Sequence, residues 1–277
     1  MTSPRSQVAP QPAPEGPPLA RLLEIMARLR DPETGCPWDR EQTWETIAPY
    51  TIEEAYEVAD AIAREAWDEL EGELGDLLLQ VVYFAQLGRE GGLFDFDKIA
   101  AKIGDKMVAR HPHVFGDESR EKTADDQVRD WEKVKAAERA AKGEARVLDG
   151  VALGLPALTR ALKLQKRAAR VGFDWADPRA VLDKVAEEAA ELTEAAEHRD
   201  ADAVEDELGD LLFVLVNLAR HLQVDPEAAL RRTNAKFERR FAAVEDGLAE
   251  DGKTPAQARL AEMDALWQSA KRAEPAG

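Results

Sequence analysis

The sequence predicts an all-α protein built from two homologous helical bundles in tandem, and three observations predict it. From Leu19 onward Ala, Leu, Glu, Arg and Lys dominate, with apolar residues recurring at spacings of three and four, the period of an amphipathic helix. Stretches that alternate apolar and polar residues, as a half-buried strand does, are few. The chain also repeats itself. Glu53-Glu54-Ala55-Tyr56-Glu57 returns as Glu187-Glu188-Ala189-Ala190-Glu191, and Glu73-Leu74-Gly75-Asp76-Leu77-Leu78 returns as Glu207-Leu208-Gly209-Asp210-Leu211-Leu212, both at an offset of 134. Lys106 to Arg110 answers Lys236 to Arg240 at 130, and Trp131 with Lys135 answers Trp267 with Lys271 at 136, so the order of blocks is kept while loop lengths drift.

The elements follow in chain order. Residues 1–18 are rich in proline and poor in apolar side chains, and are expected to form a disordered tail. Residues 19–140 form the first bundle, 141–154 a linker containing Gly and Ala, and 155–277 the second bundle. In the first bundle Ile52, Ala55, Ala59 and Ile62 share one helical face, with Glu54 and Glu57 on its flank. The next helix starts at Glu73 and Asp76 and runs into Leu77-Leu78-Leu79-Gln80-Val81-Val82-Tyr83-Phe84, a stretch apolar on all sides and therefore expected to be buried. Val185, Glu188 and Glu191 repeat the first pattern in the second bundle.

Composition narrows the function. The 277 residues carry 55 Asp plus Glu against 37 Lys plus Arg, a formal charge of −18, which argues against a nucleic-acid backbone or an anionic membrane as the main partner. Cys36 is the single cysteine, so no disulfide forms within the chain and a reducing compartment is expected. No apolar run reaches the roughly 18 residues of a spanning helix, and a secretory signal pattern is missing, so a cytoplasmic location is expected.

Two antiparallel helices of the kind described bring two Glu and a Glu/Asp pair together. Like charges 4 Å apart repel by about 4 kcal/mol at an effective dielectric of roughly 20, so four carboxylates call for a cation. Oxygen-only ligands select a hard ion, Mg²⁺ first and Mn²⁺ as its substitute, and Mg²⁺ usually keeps positions open for substrate phosphates. A lone EExxE in so acidic a chain is usually a solvated helix face; its return with the same gap and the same flanking Leu-Gly-Asp-Leu-Leu is what favours a metal. Cations for phosphate are also present: Lys184 lies one turn before Glu188, Lys236, Arg239 and Arg240 cluster, and Trp267 offers a flat surface for a base. The first half has Tyr50-Thr51-Ile52 with no lysine matching Lys184, and Ala109 where the second has Arg239, so it is the poorer phosphate site.

Other signals are discounted. Gly247 to Thr254 matches the spacing of a phosphate-binding loop, but a polar helical stretch precedes it, Pro255 follows it, and Glu250 and Asp251 would repel the phosphate, so a turn between helices is expected. No Glu-x-x-His pair occurs, which removes the di-iron bundle ligands. Cys36 has no histidine-based activation in its local sequence and is expected to serve in packing. His111-Pro112-His113 is expected to be a turn.

Together, Gly35 to Thr43 (GCPWDREQT), the paired EExxE and ExxD blocks, Lys106 to Phe115 (KMVARHPHVF), Lys166 to Trp175 (KRAARVGFDW) and Asn234 to Phe241 (NAKFERRF) resemble the MazG family of tandem-domain nucleoside triphosphate pyrophosphohydrolases, from about Leu19 to Lys271. The resemblance implies the all-α NTP pyrophosphatase fold, a homodimer, and Mg²⁺-dependent cleavage of (d)NTPs of any common base to monophosphate and pyrophosphate, in the service of nucleotide-pool house-cleaning. It also implies metal ligands at Glu188, Glu191, Glu207 and Asp210. Nucleotide contacts are implied at Lys184 and Glu188, in the stretch containing Glu205 and Asp206, at Asp210, at Lys236, Arg239 and Arg240, and at Trp267. Glu54, Glu57, Glu73 and Asp76 form a weaker second set. Trp44 and Ala109 depart from the histidine and arginine the family often has there, which places the activity in the second half. Glu188 and Glu187 are the expected catalytic carboxylates, Glu187 as the group that orients the attacking water. The competing readings are a narrow pyrophosphatase for dUTP or phosphoribosyl-ATP, and a non-catalytic acidic helical scaffold.

Overall fold

The computed structural model describes residues 12–274 apart from Glu118, Arg120, Lys122, Lys142, Glu144 and Ala145. Residues 1–11 of the expected tail, and three residues of the expected linker, therefore lie outside the described residues. Among the described residues there are helices and turns and no strand, as the apolar spacing predicts. None of these helices is long and apolar enough to cross a membrane. The chain divides into two compact units, Met1–Val134 and Lys135–Gly277.

The first unit contains α1 (Pro18–Leu29), α2 (Pro37–Glu41), α3 (Trp44–Ala63), α4 (Trp67–Glu90), α5 (Phe96–Arg110) and α6 (Pro112–Phe115), and α7 (Ala124–Ala141) starts in it. The second contains α8 (Ala157–Arg170), α9 (Pro178–His198), α10 (Ala201–His221), α11 (Pro226–Glu250) and α12 (Leu260–Ala273). Short aspartate side chains start several of these helices by accepting from otherwise unpaired amides: Asp95 from Lys98 N–H at 2.8 Å, Asp177 from Arg179 and Ala180 N–H at 2.7 and 3.1 Å, and Asp225 from Ala228 N–H at 2.8 Å.

Each unit is organised around a long helical hairpin, α3 with α4 and α9 with α10. The two hairpins turn alike. Glu65 and Arg199, 134 residues apart, both take left-handed backbone conformations (φ 57° and 56°), which non-glycine residues adopt uncommonly. The turns leave only Arg64 to Ala66 and Arg199 to Asp200 between the helices, so the helices run antiparallel side by side. Counting outward from Arg199-Asp200, Glu188 is eleven residues back and Asp210 ten forward, which sets the repeated carboxylates opposite one another.

In the first unit Met26, Ile47, Val82, Tyr83 and Leu87 form the buried core, backed by Leu22, Leu23, Leu79, Phe84 and Phe96. Arg30 and Tyr83 fasten the Cys36–Gln42 segment to it. The Arg30 guanidinium holds Glu90 at 2.7 Å and donates to the carbonyls of Asp39 and Gln42, and the Tyr83 hydroxyl donates to the Asp39 carbonyl at 2.8 Å. Gly35 is required in the preceding turn, because a Cβ there would stand 2.5 Å from the carbonyl oxygens of both Leu29 and Asp31.

The helix faces depart from expectation in one respect. Ile52 and Ile62 are exposed, and α3 buries Ile47 and Ala61 instead. In α4, Val82 and Tyr83 are buried while Leu78 and Val81 are exposed, so the helix is not buried all round within its own unit. The reason is that α1 and α5 pack onto α4 and leave part of the hairpin's apolar surface uncovered.

The Gly247 to Thr254 stretch is a turn, as expected. Its first residues finish α11, Gly252 takes φ 67°, and Lys253 is held by Glu262 at 2.7 Å, an ion pair that brings the Glu262 carboxyl down to about 2. Lys253 thus has a carboxylate partner within the chain.

Candidate active site

In the second unit, α9 and α10 bring Glu188, Glu207 and Asp210 together so that one carboxylate oxygen from each lies within 4.8 Å of the others. Glu188 is the buried member at 4% exposure, and its Oε2 has no hydrogen-bond partner. A buried carboxylate without partners for its lone pairs is costly, and a cation held at that oxygen would remove the cost. Burial, with the charges of Glu191, Glu188 and Asp210, raises the Glu207 carboxyl above its ordinary range. The donor set is oxygen only and suits a hard divalent ion. Glu191 acts on the cluster through its charge but stands outside the three-oxygen group.

Lys184, one turn before Glu188, supplies a positive charge from the protein itself. Its ammonium lies 2.7 Å from Glu188 and 2.9 Å from Glu187, and the two carboxylates, Glu188 foremost, raise its basicity. Glu187 is mostly exposed. Glu205 and Asp206 are exposed on the turn of α10 just before Glu207.

The basic cluster is organised elsewhere in the unit. Arg240 reaches Glu274 at 2.5 Å, Arg239 lies 3.8 Å from the same carboxylate, and these cations with Lys236 hold Glu274 below the ordinary carboxylate range. Trp267 packs against Phe237 at 5.2 Å and beneath the Arg240 guanidinium at 5.7 Å. Among the described residues no hydrogen bond or ion pair joins Lys236, Arg239 or Arg240 to the Glu188 cluster.

The first unit assembles Glu54, Glu57 and Glu73 in the same way. Burial and the charges of Glu57 and Asp76 raise both Glu54 and Glu73. Here Tyr50 stands at the repeat position of Lys184, so the Lys184 ammonium has no counterpart at that position.

Sequence reasoning passed over the brace that holds the Gly172–Trp175 turn. Arg220 on α10 pairs with Asp174, and the His221 imidazole lies 3.3 Å from the same oxygen. A charge pair separated by 46 residues leaves no periodic signal, although Gly-Phe-Asp-Trp between two helices marks a turn that needs fastening. Hydrogen bonding to Arg220 holds the Asp174 carboxyl below its usual 3.8. A carboxyl depressed in the folded chain contributes stability above its unfolded value and loses it as pH falls through the folded one. Asp174→Asn should therefore cost about 1 kcal/mol near neutrality, and the gap from the parent should close as pH falls below the ordinary aspartate range. Urea titrations at a series of pH values read this, and a gap that stays constant into acid would refute it.

The sequence matches the family described as the MazG nucleotide pyrophosphohydrolase domain twice, over residues 42–115 and 176–244, and each match contains one carboxylate group. It is 54% identical over 256 residues to the nucleoside triphosphate pyrophosphohydrolase of Escherichia coli, covering 92% of this chain and 97% of that protein. The nucleoside triphosphate pyrophosphohydrolase/pyrophosphatase MazG of Thermotoga maritima is 44% identical over 250 residues, with 90% and 94% covered. A nucleoside triphosphate pyrophosphohydrolase of Mycolicibacterium smegmatis is 33% identical over 221 residues, with 79% and 64% covered.

Proposed function

This chain belongs to the MazG nucleotide pyrophosphohydrolase family and is a nucleoside triphosphate pyrophosphohydrolase; we propose that it acts at the Glu188 cluster, with Mg²⁺ or in its place Mn²⁺, on ribo- and deoxynucleotides of every common base. The observation that carries this is the buried Glu188 carboxylate, with one unpartnered oxygen, converging on Glu207 and Asp210. Glu188, Glu191, Glu207 and Asp210 would hold the ion, which when bound supplies Lewis acidity toward the phosphoryl oxygens.

The chain's own groups do the rest. Lys184 leaves Glu188 and Glu187 for the incoming phosphates, exchanging carboxylate partners for phosphoryl oxygens of the same charge sign. Glu187, thereby released, orients the attacking water. Lys236, Arg239 and Arg240 balance the charge of the departing pyrophosphate, with Arg240 giving up Glu274 to do so. Water adds to phosphorus, the anhydride bond breaks, and the products are nucleoside monophosphate and pyrophosphate.

Two copies of the chain are proposed to pair through the exposed apolar stripes of the long hairpins, and the protein is proposed to work in the cytoplasm on nucleotide pools. The acidic surface, at a formal charge of −18, disfavours a nucleic-acid partner. The test is product analysis for each (d)NTP with Mg²⁺ and with chelator. Monophosphate and pyrophosphate from several bases, abolished by chelator, is the expected result. A single reactive base would favour a narrow dUTP or phosphoribosyl-ATP type of enzyme, and no metal-dependent turnover would favour the acidic scaffold.

A further inference from the structure

The cations of α11 converge on one carboxylate of their own unit. The Arg240 guanidinium donates from Nε at 3.0 Å and from Nη2 at 2.5 Å to Oε2 of Glu274, and Arg239 stands 3.8 Å from the other oxygen. Lys236 acts on the same carboxylate through its charge. Arg240 is 16% exposed against 65% for its neighbour Arg239, so Arg240 is the cation that Glu274 holds most closely. Among the described residues these three cations pair with no other carboxylate. Three positive charges thus face one negative charge, and the cluster keeps an excess of positive charge after the pair has formed.

Glu274 does not serve its own helix. It is the capping residue that follows Ala273 at the end of α12, where the last carbonyls carry partial negative charge and an acidic side chain is unfavourable. Lys271 and Arg272, in the last turn, are the residue types that such an end favours. The cations of α11 account for the carboxylate instead. Arg240 has a second anchor besides Glu274, because its guanidinium lies over the Trp267 ring at 5.7 Å, and that ring packs on Phe237. The guanidinium therefore keeps its place when one anion is exchanged for another.

Carboxylate and phosphoryl oxygens are the same kind of acceptor for a guanidinium. An anion arriving at Lys236, Arg239 and Arg240 meets a competitor that is tethered to the chain and cannot diffuse away, and so acts at a high effective concentration. We propose that Glu274 is a built-in competitor for these cations: it yields Arg240 to the substrate's phosphates and takes it back as pyrophosphate leaves, which weakens the hold on product. The proposal rests on the reading that Lys236, Arg239 and Arg240 receive the departing pyrophosphate. No covalent bond is made or broken in the exchange. The opposite role, a support that holds Arg240 in the geometry for phosphate, differs in sign: removing a competitor tightens binding, whereas removing a support loosens it.

Calorimetric titration of the full chain in Mg²⁺ with inorganic pyrophosphate reads that sign. Glu274→Gln, which keeps the side chain's size and removes its charge, should bind pyrophosphate about five- to tenfold more tightly than the parent, an increment between those of exposed and buried charge-assisted pairs. Glu274→Asp, which keeps the charge on a shorter stem, should fall between the two. The inhibition constant of pyrophosphate against NTP hydrolysis should drop by the same factor in Glu274→Gln. Glu250→Gln removes the same charge ten residues further along α11, about 15 Å along its axis and beyond the screening length, and should bind as the parent does. Circular dichroism checks the variants, and if Glu274→Gln does not fold, tighter binding in Glu274→Asp decides. Weaker or unchanged binding in Glu274→Gln, or an equal gain in Glu250→Gln, would overturn the competitor. Arg240→Gln separates the failures: a pyrophosphate affinity that it leaves untouched refutes the reading of the basic cluster, whereas an affinity that it lowers and Glu274→Gln does not raise refutes the competitor alone.

Discussion

Glu188→Gln should lower divalent-dependent NTP turnover by at least about 10³-fold, equivalent to roughly 4 kcal/mol of transition-state stabilisation, while the matching Glu54→Gln lowers it by about threefold or less. Glu188 is the most buried carboxylate of its group and the one with an unpartnered oxygen, so it contributes most to holding a cation. Glutamine keeps the size and the packing of the side chain but replaces an anionic acceptor with a neutral amide. The metal-free variant should stay folded, because Lys184 keeps Glu187 as a partner and the repulsion that raises Glu207 is relieved. A second readout separates catalysis from folding. Mg²⁺ at about a hundred times its dissociation constant stabilises a protein by about 2.7 kcal/mol, so the parent chain should melt later in Mg²⁺ and the variant should not. The asymmetry between the two substitutions follows from the first unit's side chains, which place Tyr50 and Ala109 where the second has Lys184 and Arg239. Full turnover in Glu188→Gln would move the active site out of the second unit.

The parts of the fold that were legible in the sequence are those where local chemistry suffices. Helices announce themselves by the three-and-four spacing, and the repeat at 134 identifies the two hairpins and places their carboxylates opposite one another. The Gly247 to Thr254 decoy is equally legible, since Pro255 and the acidic residues beside the lysine are incompatible with a phosphate loop. What periodicity cannot show is which apolar face finds its partner inside the chain: Leu77 to Phe84, Gln80 apart, reads as apolar on all sides, yet Val82 is buried and Val81 exposed. Spacing also gives both hairpins the same four carboxylates, whereas side-chain placement selects Glu57 as the third member in one and Asp210 in the other. Gln165 and Asn217 read as polar positions on helices, and their burial against a cavity depends on residues tens of positions away.

On the proposed pairing of two copies, the parent chain should run as a dimer and Leu212→Arg as a monomer. Leu208, Leu212 and Leu215, at i, i+4 and i+7, form one stripe of α10 and remain 46%, 46% and 42% exposed. The first unit repeats the stripe at the same offset with Leu74, Leu78 and Val81, all exposed. Scattered exposed leucines are ordinary, but an apolar stripe on a long helix that recurs in both halves marks a surface made to be covered. A guanidinium at the middle of such a stripe would have to be desolvated without a partner, a cost that weakens association by about 2–5 kcal/mol, or roughly 30- to 3,000-fold. Sedimentation at a fixed micromolar concentration should give twice the 30.6 kDa chain mass for the parent and the chain mass for Leu212→Arg. If the parent itself runs at the chain mass, or the variant still runs at twice it, the pairing surface lies elsewhere and the exposed stripes need another occupant.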